Sequence, residues 1–391
     1  MHEPYYISAS TIIGEGDNYD NCSLLIEHGK ITKIVNKPKE NILNFNLPGA
    51  TILPGLIDLH IHGRDGCDVM DGDINALNTI SSSLVKHGVT GFLATTVTSS
   101  WDKTIRALNA IGQAARSKMP GAAVLGGYSE GLFFTKDHKG AHDENYFLEL
   151  TIERVDEMID AAQGALKVIA LAPEKENAVK VTRHITNRNV KVMLGHTNAT
   201  FQETLDALDA GACGGVHVFN GMRGIHHREP GCTGAVLIKD CSVEVIADGV
   251  HLHPAILELI SRLKSAGKIN LISDCINAGG MPDGEYTLGE LQVDVKSGIA
   301  RTKEGSLAGS TLTLEKAVVN MAKMANIELR DAVHMASLSP ALFLNIEDTK
   351  GSIKESKDAD LCVVGDNGEV LMTIIEGEIV YSKNNASKLK S

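Results

Sequence analysis

The sequence predicts an α/β protein: a (β/α)8 TIM barrel with a small β-sandwich domain formed from both termini. Three observations lead there. Between residues 53 and 351, apolar β-rich runs alternate eight times with stretches that mostly show helical periodicity. Residues 1–52 and 352–391 instead carry strand and turn patterns with no helix between them. Histidines and carboxylates stand where several of the barrel runs stop, and a barrel of this kind gathers function at those ends.

Taken in order, residues 23–27 and 31–35 read as a hairpin around His28-Gly29-Lys30. The other end has the same character, with strands at 359–364, 370–375 and 376–381 and a turn at Asp366-Asn367-Gly368. Neither end has the size to fold comfortably alone, so the two are expected to join; two independent flaps on the barrel are the alternative. The barrel strands are expected at 54–63, 91–97, 123–130, 166–171, 190–196, 214–218, 243–248 and 269–274. Helical periodicity fills 74–87, 103–116, 152–162, 177–187, 201–210 and 254–265. A doubly wound sheet also alternates in this way, but eight near-regular units suit a closed barrel better.

A chain of 391 residues can bury a large core, and 43% hydrophobic with 22% charged residues is ordinary globular composition. The net charge of -12 argues against a general nucleic-acid or membrane surface. No apolar run reaches the ~18 residues of a membrane span. The opening Met1-His2-Glu3-Pro4-Tyr5-Tyr6 has no basic and apolar leader pattern. The seven cysteines are scattered, odd in number and free of Cys-x-x-Cys pairs, as expected of reduced thiols in a cytoplasm.

In Pro54-Gly55-Leu56-Ile57-Asp58-Leu59-His60-Ile61-His62-Gly63, strand alternation sends His60 and His62 to one face and Ile57, Leu59 and Ile61 to the other. Two imidazoles so spaced can grip one metal ion, and zinc or iron suits them. Alone, the pair also fits a polar strand end beside a turn. Glu130, His196, His217 and Asp274 stand at the ends of later strands, and this convergence is what singles the pair out.

These stretches resemble the amidohydrolase superfamily and, within it, the N-acetylglucosamine-6-phosphate deacetylases. The resemblance spans nearly the whole chain. It is carried by 54–63, Lys139-Gly140-Ala141-His142, Leu171-Ala172-Pro173-Glu174 and Gly195-His196-Thr197-Asn198-Ala199-Thr200. It continues through His217-Val218-Phe219-Asn220-Gly221-Met222, Arg228-Glu229-Pro230-Gly231, Ala247-Asp248-Gly249-Val250-His251 and Leu307-Ala308-Gly309-Ser310. By this resemblance Glu130, His196 and His217 are metal ligands, and His60 and His62 match members that hold a second metal. It implies two divalent ions per subunit, zinc or iron, with Glu130 bridging them. Asp274 matches the catalytic aspartate, and His142, Asn220, Gly221, Arg228, His251 and the Leu307, Ala308, Gly309 backbone match substrate contacts. A small phosphorylated amino sugar is the implied partner and a homodimer the implied assembly, with the Arg228 loop reaching the neighbouring subunit's site.

Two stretches depart from the family. Tyr128-Ser129-Glu130-Gly131-Leu132 replaces the usual His-Leu-Glu-Gly-Pro, and Ser356 replaces a usual glycine. The first departure keeps the galactosamine epimer, or another N-acyl amino-sugar phosphate, open beside the glucosamine one.

The chemistry agrees with those assignments. Amide hydrolysis needs an activated water, which a metal supplies by lowering its pKa to ~7. Asp274 at the last strand end could take the water's proton and return it to the leaving amine. His142 could help polarise the acetyl carbonyl. Arginine's planar fork suits phosphate, so Arg228, with Asn220 and His251, would anchor the substrate remotely from the scissile bond. His226 and His227 beside it fit a plain loop equally well. His87 reads as a helix C-terminal residue before Gly88. His184 and His334, inside helices, and His2 and His28, in the β domain, are expected to be structural. Residues 64–73 read as a solvated acidic loop without calcium-loop spacing. A non-catalytic scaffold is the competing class, and the full donor set speaks against it.

Overall fold

Eight parallel strands form the central ring: β1 (Leu56–Ile61), β2 (Val89–Thr96), β3 (Ala123–Ser129), β4 (Leu166–Leu171), β5 (Lys191–Leu194), β6 (Gly214–Gly215), β7 (Ser242–Val245) and β8 (Ile269–Leu271). This computed structural model describes residues 3–383. Residues 1–2 and 384–391, which the terminal β domain was expected to include and which contain His2, lie outside the described residues. Each strand pairs in parallel with the next, and β8 returns to β1 through a bridge between Ile61 and Cys275. The N–H of Asp274 donates to the carbonyl of His60 at 2.9 Å at that seam. The barrel closes as its alternating pattern requires.

Both faces of these strands are covered, so β1 and β2 are buried along their whole length. Several of the helices between them begin on side-chain caps. Asp73 accepts from the N–H groups of Asn75 and Ala76 ahead of Ile74–Leu84, and Thr200 with Glu203 makes a reciprocal capping box ahead of Phe201–Asp209. Gly88, at φ 74°, ends the short 3-10 turn Val85–His87 that follows Ile74–Leu84. Among the described residues no helix is long and apolar enough to cross a membrane.

Strands from both termini join one sheet. Its order is Glu378–Ser382, Val370–Ile375, Leu361–Val364, Leu43–Pro54, Tyr5–Ile13, Ser23–Glu27 and Lys30–Val35, with Asn18–Asp20 paired to Tyr5–Ile13. The union of the ends is the antiparallel pairing of Leu361–Val364 with the end of Leu43–Pro54. Apolar side chains of both ends, among them Ile7, Phe45, Leu361 and Met372, share one core. The 28–29 turn has positive φ at both His28 (51°) and Gly29 (80°), the backbone a tight hairpin needs. Ser356, in place of the family's glycine, still takes φ 77°, so the turn survives at some strain.

The strand Leu43–Pro54 runs into β1 with only Gly55 between them. A Cβ at Gly55 would stand 2.4 Å from the Thr90 hydroxyl oxygen, so glycine is what lets the chain cross from sheet to barrel there.

Several elements were not anticipated. A three-stranded antiparallel sheet, Gly284–Leu288, Leu291–Lys296 and Ile299–Thr302, follows the last barrel strand. Its tip is tied down by Glu290, which accepts from the Ser99 hydroxyl and the Lys103 ammonium at 2.6 Å each. Helices Gly231–Ile238, Leu314–Met324, Leu329–Met335 and Leu338–Leu344 complete the barrel's outer layer. The 64–73 loop is also not the solvated segment expected. Arg64 and Asp68 are buried, Asp68 caps a short turn through the N–H of Met70, and burial pushes its carboxyl up to about 6.

Candidate metal centre and active-site pocket

His60 lies on β1 and His62 one residue beyond its end; their Nε2 atoms come within 3.3 Å of each other, and both side chains are buried. Glu130 follows β3 directly. The remaining donors are not on strands. β5 stops at Leu194, β6 at Gly215 and β8 at Leu271, short of the ends expected at 196, 218 and 274. The reason is local: His196 (φ 47°), His217 (φ 22°) and Asp274 (φ 49°) all take positive φ, which no strand accommodates. Asp274 is therefore aimed by a left-handed turn rather than by alternation along β8. That turn is held by the Ser310 N–H, which donates to the Asp274 carbonyl at 2.7 Å.

Glu130 sits at the middle of the group, with one oxygen turned to each half. Its Oε1 lies 2.9 Å from His217 Nε2 and 3.3 Å from His196 Nε2. Its Oε2 lies 3.3 Å from His62 Nε2, 3.6 Å from His60 Nε2 and 3.5 Å from His142 Nε2. Asp274 Oδ1 stands 3.2 Å from His62 Nε2 and 3.5 Å from His60 Nε2. Two clusters of ligand geometry result: His60, His62 and Asp274, and Glu130, His142 and His196.

The imidazoles are wired to offer lone pairs. Nδ1 of His60 lies 3.1 Å from Oε2 of Glu244, that of His62 3.2 Å from the Thr95 carbonyl, that of His196 3.1 Å from the His138 carbonyl and that of His217 3.1 Å from the Asn220 carbonyl. In the neutral ring each acceptor takes the N–H and leaves Nε2 free for a metal, the arrangement that orients metal-bound histidines. Yet the Nε2 atoms of His60 and His62 are 3.3 Å apart, and those of His196 and His217 are 3.2 Å apart. Lone pairs so close repel unless a cation lies between them. The donor set of imidazoles and carboxylates fits a divalent metal ion.

The field points the same way. Burial opposes the charge of Glu130, but His60, His142, His196 and His217 hold its carboxyl well below the usual range. Burial likewise opposes the charge of Asp274, yet His62 and His60 bring it down to about 2. Burial pulls His62 down while Asp274 and Glu130 carry it up to about 9. This pocket floor attracts positive charge. His142 and His196 go the other way: burial lowers both, and the neighbouring His196 adds to the effect on His142.

These donors form the floor of a pocket of about 320 Å³. His142, Asn220, Gly221, His251, Leu307 and Gly309 line it, all of them expected substrate contacts. Ala308 does not; it turns into the core under the three-stranded sheet. Arg228 is not there either. It is exposed, with its backbone N–H donating to His226 Nδ1 at 3.3 Å and its guanidinium 2.7 Å from His227 Nε2, and it lines no part of its own chain's pocket. The other histidines have structural partners: His87 with Glu315 at 2.9 Å, His184 with Asp156 at 2.8 Å and His334 with the Gly14 carbonyl at 3.3 Å.

Sequence reasoning missed the residues behind the donors. Glu244 on β7 is fully buried and holds His60; Asp58 on β1 accepts from the N–H groups of His60 and Ser273. The signal was a lone carboxylate in each otherwise apolar strand, Val243-Glu244-Val245 and Ile57-Asp58-Leu59. The departures around Glu130 also find a place. Tyr128 and Ser129 lie behind the donors, out of contact with the pocket, with the Tyr128 ring 4.8 Å from that of His60. Leu132 takes φ 71°, a conformation closed to the family's proline.

Comparison with known proteins places this site in a family. Residues 51–380 match the amidohydrolase family. The N-acetylglucosamine-6-phosphate deacetylase of Vibrio furnissii is 44% identical over 84% of this chain and 83% of its own. The N-acetylgalactosamine-6-phosphate deacetylase of Escherichia coli O157:H7 is 44% identical over 96% of this chain and 99% of its own. In structure, an N-acetyl-D-glucosamine-6-phosphate deacetylase mutant of Mycobacterium smegmatis in complex with N-acetyl-D-glucosamine 6-phosphate superposes with a TM-score of 0.93 at 28% identity, covering 97% of this chain and 100% of that one. The chain belongs to the amidohydrolase family, a metal-dependent family, in the branch that holds these deacetylases.

Proposed function

We propose that this chain hydrolyses the N-acetyl group of N-acetylglucosamine 6-phosphate, giving glucosamine 6-phosphate and acetate. One observation carries the reading: Glu130, His62, His196, His217 and Asp274 line a single pocket, with His60 buried directly behind them, in a chain of the deacetylase branch.

In this reading His60, His62, Glu130, His196 and His217 would hold two divalent ions, zinc or iron. When bound, such ions lower the pKa of water and polarise a carbonyl. Asp274 takes a proton from the attacking water through Oδ1 and delivers it to the amine nitrogen as the C–N bond breaks. His142 donates from Nε2 to the acetyl oxygen as negative charge develops there. Asn220, Gly221, His251 and the backbone of Leu307 and Gly309 hold the sugar, and Arg228 of a second subunit in a homodimer binds the phosphate. The barrel of residues 53–351 would carry the chemistry and the terminal domain of 1–52 and 352–391 would brace it. All seven cysteines are free, which supports a cytoplasmic setting.

A second substrate deserves the same assay. The galactosamine-specific relative matches this chain over nearly its whole length at the same 44% identity. Acetate release should be measured on the metal-loaded protein with both epimers, each with and without the 6-phosphate. Preference for phosphorylated N-acetylglucosamine supports the proposal, and preference for the other epimer replaces the substrate. No release from any of them would leave the scaffold reading standing.

A further inference from the structure

One of the five imidazoles at the pocket floor is wired in reverse. His60, His62, His196 and His217 each present Nδ1 to a carbonyl or carboxylate oxygen, which can only accept. His142 presents Nδ1 to a hydroxyl, the Oγ1 of Thr98, at 2.7 Å. Thr98 lies just beyond β2 and is 2% exposed. Its Oγ1 also accepts the N–H of Leu132 at 3.3 Å. Gly131 makes the close approach possible, since a Cβ there would fall 2.4 Å from that same oxygen.

A hydroxyl has one hydrogen and two lone pairs. The Leu132 N–H occupies one lone pair. Among the described residues the other partner of Oγ1 is His142 Nδ1. If the ring donated there, the hydroxyl hydrogen would be buried without an acceptor, which is costly. The arrangement that satisfies every group has Thr98 donating to Nδ1, which puts the ring's own proton on Nε2.

We infer that Thr98 is a positioning residue for the reaction: it fixes His142 as the Nε2–H tautomer, so His142 offers the pocket a proton where its four neighbours offer lone pairs. His142 is then not a further metal ligand, although its Nε2 lies 3.2 Å from that of His196. It is a hydrogen-bond donor aimed at the space between Glu130 Oε2 and the pocket mouth. Which substrate oxygen receives that hydrogen bond rests on the deacetylase reading; the tautomer is a property of the protein alone.

The test uses the zinc-loaded full chain, Thr98→Val, which keeps the shape and removes the hydroxyl, and Thr98→Ser, which restores it. Nitrogen NMR of the imidazoles, with His142 assigned by its loss in His142→Asn, should find the proton on Nε2 in the wild type and in Thr98→Ser. Thr98→Val leaves Nδ1 without its donor and the ring without its anchor, and should lower kcat about a hundredfold, in the range for losing one oxyanion donor, with KM and zinc content near wild type. Thr98→Ser should recover most of that loss. Wild-type His142 protonated on Nδ1, wild-type kcat in Thr98→Val, or loss of a zinc equivalent in Thr98→Val would each overturn the inference. Should Thr98→Val fail to fold, the wild-type spectrum still decides. A chain inactive on every acetylated sugar would defeat the functional proposal and leave the tautomer measurement valid.

Discussion

Glu244 Oε2 lies 3.1 Å from Nδ1 of His60, both side chains fully buried behind the pocket. The same oxygen accepts the backbone N–H of His217 at 3.3 Å, so one carboxylate steadies a donor from each half of the site. Removing its charge with Glu244→Gln should weaken metal binding about 10- to 100-fold. Competition against a chromophoric chelator measures this, and unchanged affinity would make Glu244 a passive core group.

The split of Glu130 between the two halves gives a stoichiometric prediction. Glu130→Gln should lower metal content on both sides, while His60→Asn with His62→Asn should cost one ion per chain and leave the other. Elemental analysis reads both. Two ions retained in the double variant would end the binuclear reading.

Asp274→Asn keeps the side chain's shape and removes its proton acceptor. General acid–base help of this kind is worth about 10²–10⁴ in rate, so kcat should fall by that order. Because Asp274 Oδ1 is 3.2 Å from His62 Nε2, the His60 and His62 side is the one whose metal affinity should also respond. The ion beside His196 and His217 should stay. Full turnover in a metallated Asp274→Asn protein would remove Asp274 from the mechanism.

Arg228 is exposed and lies outside its own chain's pocket, so its predicted effect depends on assembly. In a dimer that shares sites, Arg228→Ala should raise KM for the phosphorylated sugar about ten- to a hundredfold, equivalent to roughly 1.5–3 kcal/mol for a charge-assisted contact. Mixing Arg228→Ala subunits with Glu130→Gln subunits should then restore part of the activity. A monomer with normal KM after Arg228→Ala would refute the shared site.

Metal should also register as stability. An ion that binds only the folded chain adds about 2.7 kcal/mol at a hundred times its Kd. Chelation should therefore lower the melting temperature, and titrating zinc back should raise it progressively. A melting curve indifferent to metal would contradict the repelling Nε2 pairs at the pocket floor.

Much of this was legible before any coordinates, and the failures have causes. Capped helices came out within a few residues, as with 152–162 against the observed Ile152–Ala161, which Thr151 caps. His60 and His62 could be placed together because His60 rides on β1 and His62 follows one residue beyond its end. Asp274 faces the pocket for a reason alternation could not supply, since its φ of 49° belongs to a turn set by Ser310 and His60. Glu244 and Asp58 were passed over because their strands read as core, although an unpaired charge inside an apolar strand is itself a signal. The sheet of residues 284–302 went unseen because periodicity was sought for barrel units only. For Arg228, resemblance supplied a role that a single chain does not display.

The pairing of Leu361–Val364 with the end of Leu43–Pro54 has a consequence for how the chain is made. Synthesis delivers the strand that leads into His60 before the barrel and its neighbour after it. Until Leu361 emerges, the edge at Thr51–Pro54 has no partner, and an open strand edge invites pairing with the wrong chain. The terminal sheet thus works as a late latch: the nascent barrel must wait, with that edge shielded by other means, until its own tail arrives to cover it.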